Sequence, residues 1–132
     1  MNSQPAKDCK IIRREHREVE IKSGAMTRLA GISQTTAGTD GIHLAISTIG
    51  PKSSSSPHHH VNCETAIYVE QGYGRFLSGP RLETSHTIGP GDFIYVPPDA
   101  PHKPINVSNE TSLLLLVARN QPTEIVKEIK NE

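Results

Sequence analysis

Two segments of this chain carry side chains that could hold a metal ion. In Pro57-His58-His59-His60-Val61-Asn62-Cys63-Glu64, His58 and His60 stand one residue apart. On an extended segment such residues project to the same side. Imidazole is neutral near pH 7 and offers a directed lone pair, so two of them can share one ion. The second segment, Gly91 to His102, ends in a third histidine that a distant strand could bring in to complete the site. Cys63 and Glu64 compete for a fourth position, and alternation along the following strand puts Cys63 on the side of Thr65, Ile67 and Val69. A thiolate favours zinc or copper(I), whereas a carboxylate suits iron(II), manganese or nickel. A buried cysteine that only packs is an adequate alternative for Cys63. His59, between the pair, should point the other way and suits a rim or supporting position.

The elements that must position these groups read as strands. Apolar or β-branched runs recur at Ile42 to Ile49, Ala66 to Val69, Tyr73 to Leu77, Leu82 to Thr87, Phe93 to Val96, Pro104 to Val107 and Leu113 to Arg119. In the first of them Ile42, Leu44 and Ile46 recur at period two, as in a half-buried strand. Gly, Pro, Ser and Asn residues punctuate the runs about every ten residues, the spacing of an antiparallel sandwich or barrel. Prolines 97, 98 and 101 stiffen the approach to His102, which should enter the sheet at a strand start. No segment before the last ten residues carries a helical stripe, so the class is all-β. One domain is expected: an N-terminal arm over 1–24 with at most one or two short strands such as Glu18 to Ile21, a β-barrel over 25–120, and a tail over 121–132.

Bulk properties exclude several functions. Fourteen Lys and Arg balance fourteen Asp and Glu, for a net charge of +0, and no window gathers a basic footprint, so nucleic acid is not an expected partner. The longest apolar run, Leu113 to Ala118, is far shorter than the roughly 20 residues that cross a bilayer, so no membrane association is expected. The first ten residues hold no apolar signal core, so a cytoplasmic location is expected, where Cys9 and Cys63 would stay thiols. His43 and His86 sit in strand runs without a partner at ligand spacing. Tyr68, Phe76, Phe93 and Tyr95 read as packing residues or walls of a small-molecule pocket. Arg28 and Arg75 read either as contacts for an anionic substrate or as solvated strand ends.

These blocks resemble the cupin superfamily, small antiparallel jelly-roll β-barrels. Gly91, Pro97, His102 and Asn106 fall on the register of its second block, with Asp99 where a glycine belongs. His58, His60 and Gly72 fit the first block, with Lys52 in the place of its first glycine and Thr65 in the place of its usual carboxylate. A closer resemblance, through Gly24 to Arg28, Pro57 to His60, Glu64 to Val69 and Gly89 to Pro98, is to single-domain cupins that include zinc-containing aromatic polyketide cyclases. Cys63 and Lys103 depart from that subgroup, which often has histidine and glutamine there.

The resemblance implies a divalent transition metal, zinc first, with iron, nickel, manganese or copper as alternatives. It would be held by His58, His60 and His102 with Cys63 or Glu64 as a modulating fourth donor. Three histidines leave coordination positions open and most of the ion's charge in place. That favours anionic, chelating substrates such as β-diketones, hydroxyaromatics or 2-oxo acids. The expected function is a metal-dependent enzyme on a small oxygenated molecule, either a cyclase or isomerase or a dioxygenase. The alternative is a non-catalytic small-molecule-binding or sensory module. The resemblance also implies a homodimer, paired through an edge sheet or through the N-terminal arm.

Overall fold

The computed structural model describes residues 7–21, 26–55, 58–60, 62–122 and 126–128, with 58–60 and 126–128 described by their backbone. Among the described residues the strands run β1 (Glu18–Ile21), β2 (Met26–Ile32), β3 (His43–Ile49), β4 (His58–His60), β5 (Thr65–Gln71), β6 (Gly74–Ser78), β7 (Thr84–Ile88), β8 (Phe93–Val96), β9 (His102–Asn106), β10 (Leu113–Arg119) and β11 (Val126–Glu128). A single helical turn, α1 (Gln34–Ala37), separates β2 from β3. Ser33 and Thr36 close it reciprocally, and Gly38 ends it at φ 69°.

The strands form two antiparallel sheets, one of six in the order β1-β2-β3-β10-β5-β8 and one of five in the order β11-β4-β9-β6-β7. Strands far apart in sequence, such as β3 and β10, lie side by side because the chain crosses between the sheets. This is the jelly-roll arrangement that the regular turn spacing and the block resemblance led us to expect. The core lies between the sheets and consists of Ile49, Ile67, Val69, Phe76, Ile88, Val96, Leu113 and Leu115. The bounds of β1, β8 and β10 coincide with the runs read from the sequence, and β9 begins at His102.

The six-stranded sheet reverses the usual distribution of polarity. In β3 the buried side belongs to His43, Ala45, Ser47 and Ile49, while Leu44 is 42% exposed and Ile42, just before the strand, 63%. The alternation expected there is present with the opposite phase. The reason is that this sheet keeps polar groups inside: His43 pairs in register with Arg119, and Arg119 with Thr65, in one inward row. Outside, one register row across all six strands reads Val19, Leu29, Ile46, Leu116, Tyr68 and Phe93.

Tight turns fix the strand ends that carry the histidines. Gly72 has φ 92°, and a Cβ there would meet the Ser112 carbonyl oxygen at 2.5 Å, so only glycine fits between β5 and β6. Lys52 (φ 53°) and Asp99 (φ 66°), the two residues in family glycine places, both adopt the left-handed conformation that glycine would take without strain. Asn106 ends β9 with 1% exposure. Its Nδ2 donates to the carbonyls of Ile49 (2.9 Å), Gly50 (3.0 Å) and Thr111 (2.8 Å), and its Oδ1 accepts from the Ser108 amide at 3.0 Å. One side chain thus ties the end of β9 to the ends of β3 and β10.

Candidate metal centre

His102 opens β9 directly opposite His58 of β4, its register partner. Residues directly opposite in an antiparallel pair have Cβ atoms about 4.5–5.5 Å apart. His60 is two positions along β4 from His58, on the same strand face. The imidazoles of His58, His59 and His60 lie outside the described residues. Among the described side chains, no three His, Cys, Asp or Glu groups lie close enough together to hold an ion.

The His102 ring is 4% exposed. Its Nδ1 lies 2.9 Å from the Ala100 carbonyl oxygen. A carbonyl only accepts, so Nδ1 carries the proton and Nε2 keeps its lone pair, the tautomer a metal-binding imidazole needs. Phe76 of β6 stacks on the ring, with centroids 5.8 Å apart and planes at 14°. Prolines on the approach and Phe76 beside it therefore hold the ring in one orientation.

His102 lines a narrow cavity of about 60 Å³ between the sheets, together with Arg28, Ser47, Ser55, Thr65 and apolar core residues. A water needs roughly 10–15 Å³ of such space. The cavity admits a few waters or the reacting end of a larger molecule. Thr65 is 3% exposed, and its Oγ1 has no hydrogen-bond partner among the described residues. A buried hydroxyl left unpaired costs about 1–3 kcal/mol, so this group is suited to a ligand that enters the cavity. An uncharged hydroxyl thus occupies the family's carboxylate position. Ser47 and Ser55 were not singled out in the sequence. The inward phase of β3 locates Ser47, but no sequence signal marks Ser55.

Cys63 is 2% exposed and shares its buried side with Thr65, Ile67 and Val69. Glu64 is exposed on the other side. Its carboxylate accepts a 2.5 Å hydrogen bond from the Tyr95 hydroxyl, and that bond holds the phenol above its usual pKa. Neither residue is among those lining the cavity, where Thr65 is.

Behind the cavity wall, Arg28 and His43 share Glu20 of β1. The carboxylate oxygen lies 3.5 Å from Arg28 Nε and 2.9 Å from His43 Nε2. Burial, and then the Arg119 guanidinium, hold the His43 imidazole below its usual pKa, against the opposing pull of Glu20. The lowered pKa favours the neutral imidazole beside the Glu20 carboxylate. His43 is thus a buried residue of the wall behind the cavity. Arg28 is on the cavity wall rather than at a solvated strand end, while Arg75 is exposed and donates to Ser85. His86 is exposed and lies 3.3 Å from the Ser78 hydroxyl. Phe93 and Tyr95 are largely exposed, yet the Phe93 ring lies 4.8 Å from that of Tyr68, and both residues line an open pocket with Phe76 and His86.

Two facing antiparallel sheets, with histidine-bearing strands side by side in the smaller one, define a jelly-roll domain with its cavity between the layers. A family model for the cupin domain matches residues 45–118. The chain belongs to that family. Among solved structures it is similar to the polyketide cyclase RemF from Streptomyces resistomycificus, with a TM-score of 0.77 and 23% identity over 95% of this chain and 88% of that one. It is also similar to oxalate decarboxylase from Lactobacillus farciminis, with a TM-score of 0.75 and 19% identity over 87% of this chain and 34% of the other. KdgF from Halomonas sp. matches with a TM-score of 0.69 and 13% identity, over 85% of this chain and 94% of that one. At these identities the likeness establishes the fold. A comparison with curated proteins finds no match. Among the described residues no helix is long and apolar enough to cross a membrane.

Proposed function

We propose that this cupin holds a divalent transition metal, zinc first, with iron, nickel, manganese or copper as alternatives, through His58, His60 and His102. It acts as an enzyme on a small enolisable or hydroxyaromatic molecule. The observation that carries the reading is the β4–β9 register, which sets His58 opposite a buried His102 whose Nδ1 is already occupied. Cys63, buried like Thr65 just before β5, is preferred to Glu64 as a fourth donor because the Glu64 carboxylate is engaged by Tyr95. Bound there, the ion would supply Lewis-acid polarisation of a substrate oxygen.

The chain's own residues have distinct parts. Phe76 and the Ala100 carbonyl orient the His102 ring. The Thr65 hydroxyl offers a hydrogen bond to an oxygen entering the cavity. Arg28, held by Glu20, sets positive charge on the wall where an enolate or phenolate oxygen would lie. The apolar remainder of the lining excludes water from that end. The protein is further proposed to work as a homodimer.

Turnover of β-diketones, hydroxyaromatics and 2-oxo acids by metal-loaded and chelated protein, with dissolved oxygen recorded, tests the reading. Activity that needs the metal and disappears in His102→Ala supports it, and oxygen uptake then separates a dioxygenase from a cyclase or isomerase. Equal turnover by the chelated protein contradicts it. Thermal stabilisation by panel members without turnover favours a binding module instead.

A further inference from the structure

A second opening, larger than the cavity beside His102, lies between β7 and β8, the last strands of their respective sheets. It measures about 480 Å³ and is lined by Phe76, Ser78, His86, Asp92, Phe93 and Tyr95, among others. Small-molecule sites commonly run about 300–1,000 Å³. Three rings of this lining are each braced by a neighbour. Phe76 stacks on His102 with centroids 5.8 Å apart, Phe93 leans on Tyr68 at 4.8 Å, and the Tyr95 hydroxyl donates to the Glu64 carboxylate. Phe93 and Tyr95 are nonetheless 80% and 63% exposed. Large rings that are held in place yet left in water lose little further freedom when a ligand packs on them.

The polar groups of the cleft narrow what it can take. His86 is the register partner of Phe76 and so rises from the same face of the smaller sheet, with its Nε2 3.3 Å from the Ser78 hydroxyl. Ser78 is in turn the register partner of His102. Among the described residues the lining holds no lysine or arginine and one carboxylate, Asp92, which accepts from the Gly89 amide at 2.8 Å. An anion would find no countercharge there, whereas a flat ring finds aromatic faces and its hydroxyl a hydrogen-bonding imidazole. We propose that this cleft binds a neutral hydroxyaromatic ring, packed on Phe76, Phe93 and Tyr95 with its hydroxyl bonded to His86. The site needs no metal. It goes beyond the metal-enzyme reading and, combined with it, gives the body of a hydroxyaromatic substrate a place beside the cavity of about 60 Å³, which is too small for more than the reacting end. Phe76, between the cleft and the His102 ring, is the shared wall.

Fluorescence titration of α-naphthol into the chelated full chain near neutral pH tests the proposal, and the chain has no tryptophan to obscure the signal. Saturable binding with a Kd of about 0.1–1 mM is expected. Decahydronaphthol, which lacks aromatic faces, and α-naphthoate, which carries a negative charge, should each compete at least about fivefold more weakly. Phe93→Ala, at an exposed position, should weaken α-naphthol binding about three- to tenfold, and His86→Phe, which keeps a ring but removes the hydrogen bond, by a similar factor. Val107→Ala, at an exposed apolar position outside the cleft, should bind as the wild type does. Unchanged circular dichroism would confirm that each variant is folded. No saturable binding up to the solubility limit of α-naphthol, competition by either analogue as strong as by α-naphthol itself, wild-type affinity in both Phe93→Ala and His86→Phe, or weakened binding in Val107→Ala overturns the proposal. Metal content of the same preparations before chelation reports on the histidine site separately, so failure of one reading is distinguishable from failure of the other.

Discussion

His58 and His102 are register partners across the β4–β9 pair. The chain thereby brings a histidine from each family block to neighbouring backbone positions, and His102 lines the cavity between the sheets. Because Nδ1 of His102 is bonded to Ala100, the lone pair of this buried ring is confined to Nε2.

The Thr65 hydroxyl should show this preparation for a ligand as a cost to the empty protein. Thr65→Val keeps the shape and removes the unpaired oxygen, so the metal-free variant is expected to be more stable by about 1 kcal/mol in urea unfolding. A loss of stability of similar size would mean that the hydroxyl is bonded in the empty protein.

Lys52 carries left-handed backbone strain at a position where the family has glycine. Lys52→Gly is expected to stabilise the fold by about 0.5–1 kcal/mol, because the native φ of 53° suits glycine. Destabilisation would show that the lysine side chain contributes more than its backbone costs.

Asn106 ties three carbonyls from two segments to the end of β9. Removing it strands buried acceptors, so Asn106→Leu is expected to cost about 3 kcal/mol or more, or to prevent folding. A cost within about 0.5 kcal/mol would show that these carbonyls find other partners.

His43 should make stability depend on pH. Its imidazole, packed against Glu20, Arg28 and Arg119, is held below the usual value of 6.5 in the folded chain. As pH falls below that value the unfolded chain takes up a proton that the native one refuses, so stability is full above it and declines until the lowered native pKa is passed. His43→Gln should flatten this part of the profile in unfolding measurements. An unchanged slope would assign the dependence to other groups.

Much of the fold was legible because its strands are bounded by glycine, proline and asparagine turns. The runs Phe93 to Val96 and Leu113 to Arg119 became β8 and β10 without change. β2 was missed because Met26–Ile32 mixes an inward arginine with a bulge at Gly31, which breaks any simple alternation. The phase of β3 was misleading because hydrophobicity identifies a buried face only when the other face meets water, and Leu44 and Ile46 belong to an apolar exterior. At the site, the start of β9 at His102 followed from its prolines. The unpaired hydroxyl of Thr65 and the stacking of Phe76 depend on contacts between sheets, which spacing along one strand does not encode.

The most direct test of the metal site is the metal content of protein prepared without a histidine tag, measured by mass spectrometry together with zinc titration of the chelated chain. We expect one equivalent of a divalent transition metal per chain in the wild type, and a loss of at least about tenfold in zinc affinity in His58→Ala and in His102→Ala. A folded wild type that carries no metal and takes up no zinc, or variants that bind it as tightly as the wild type, would contradict the account.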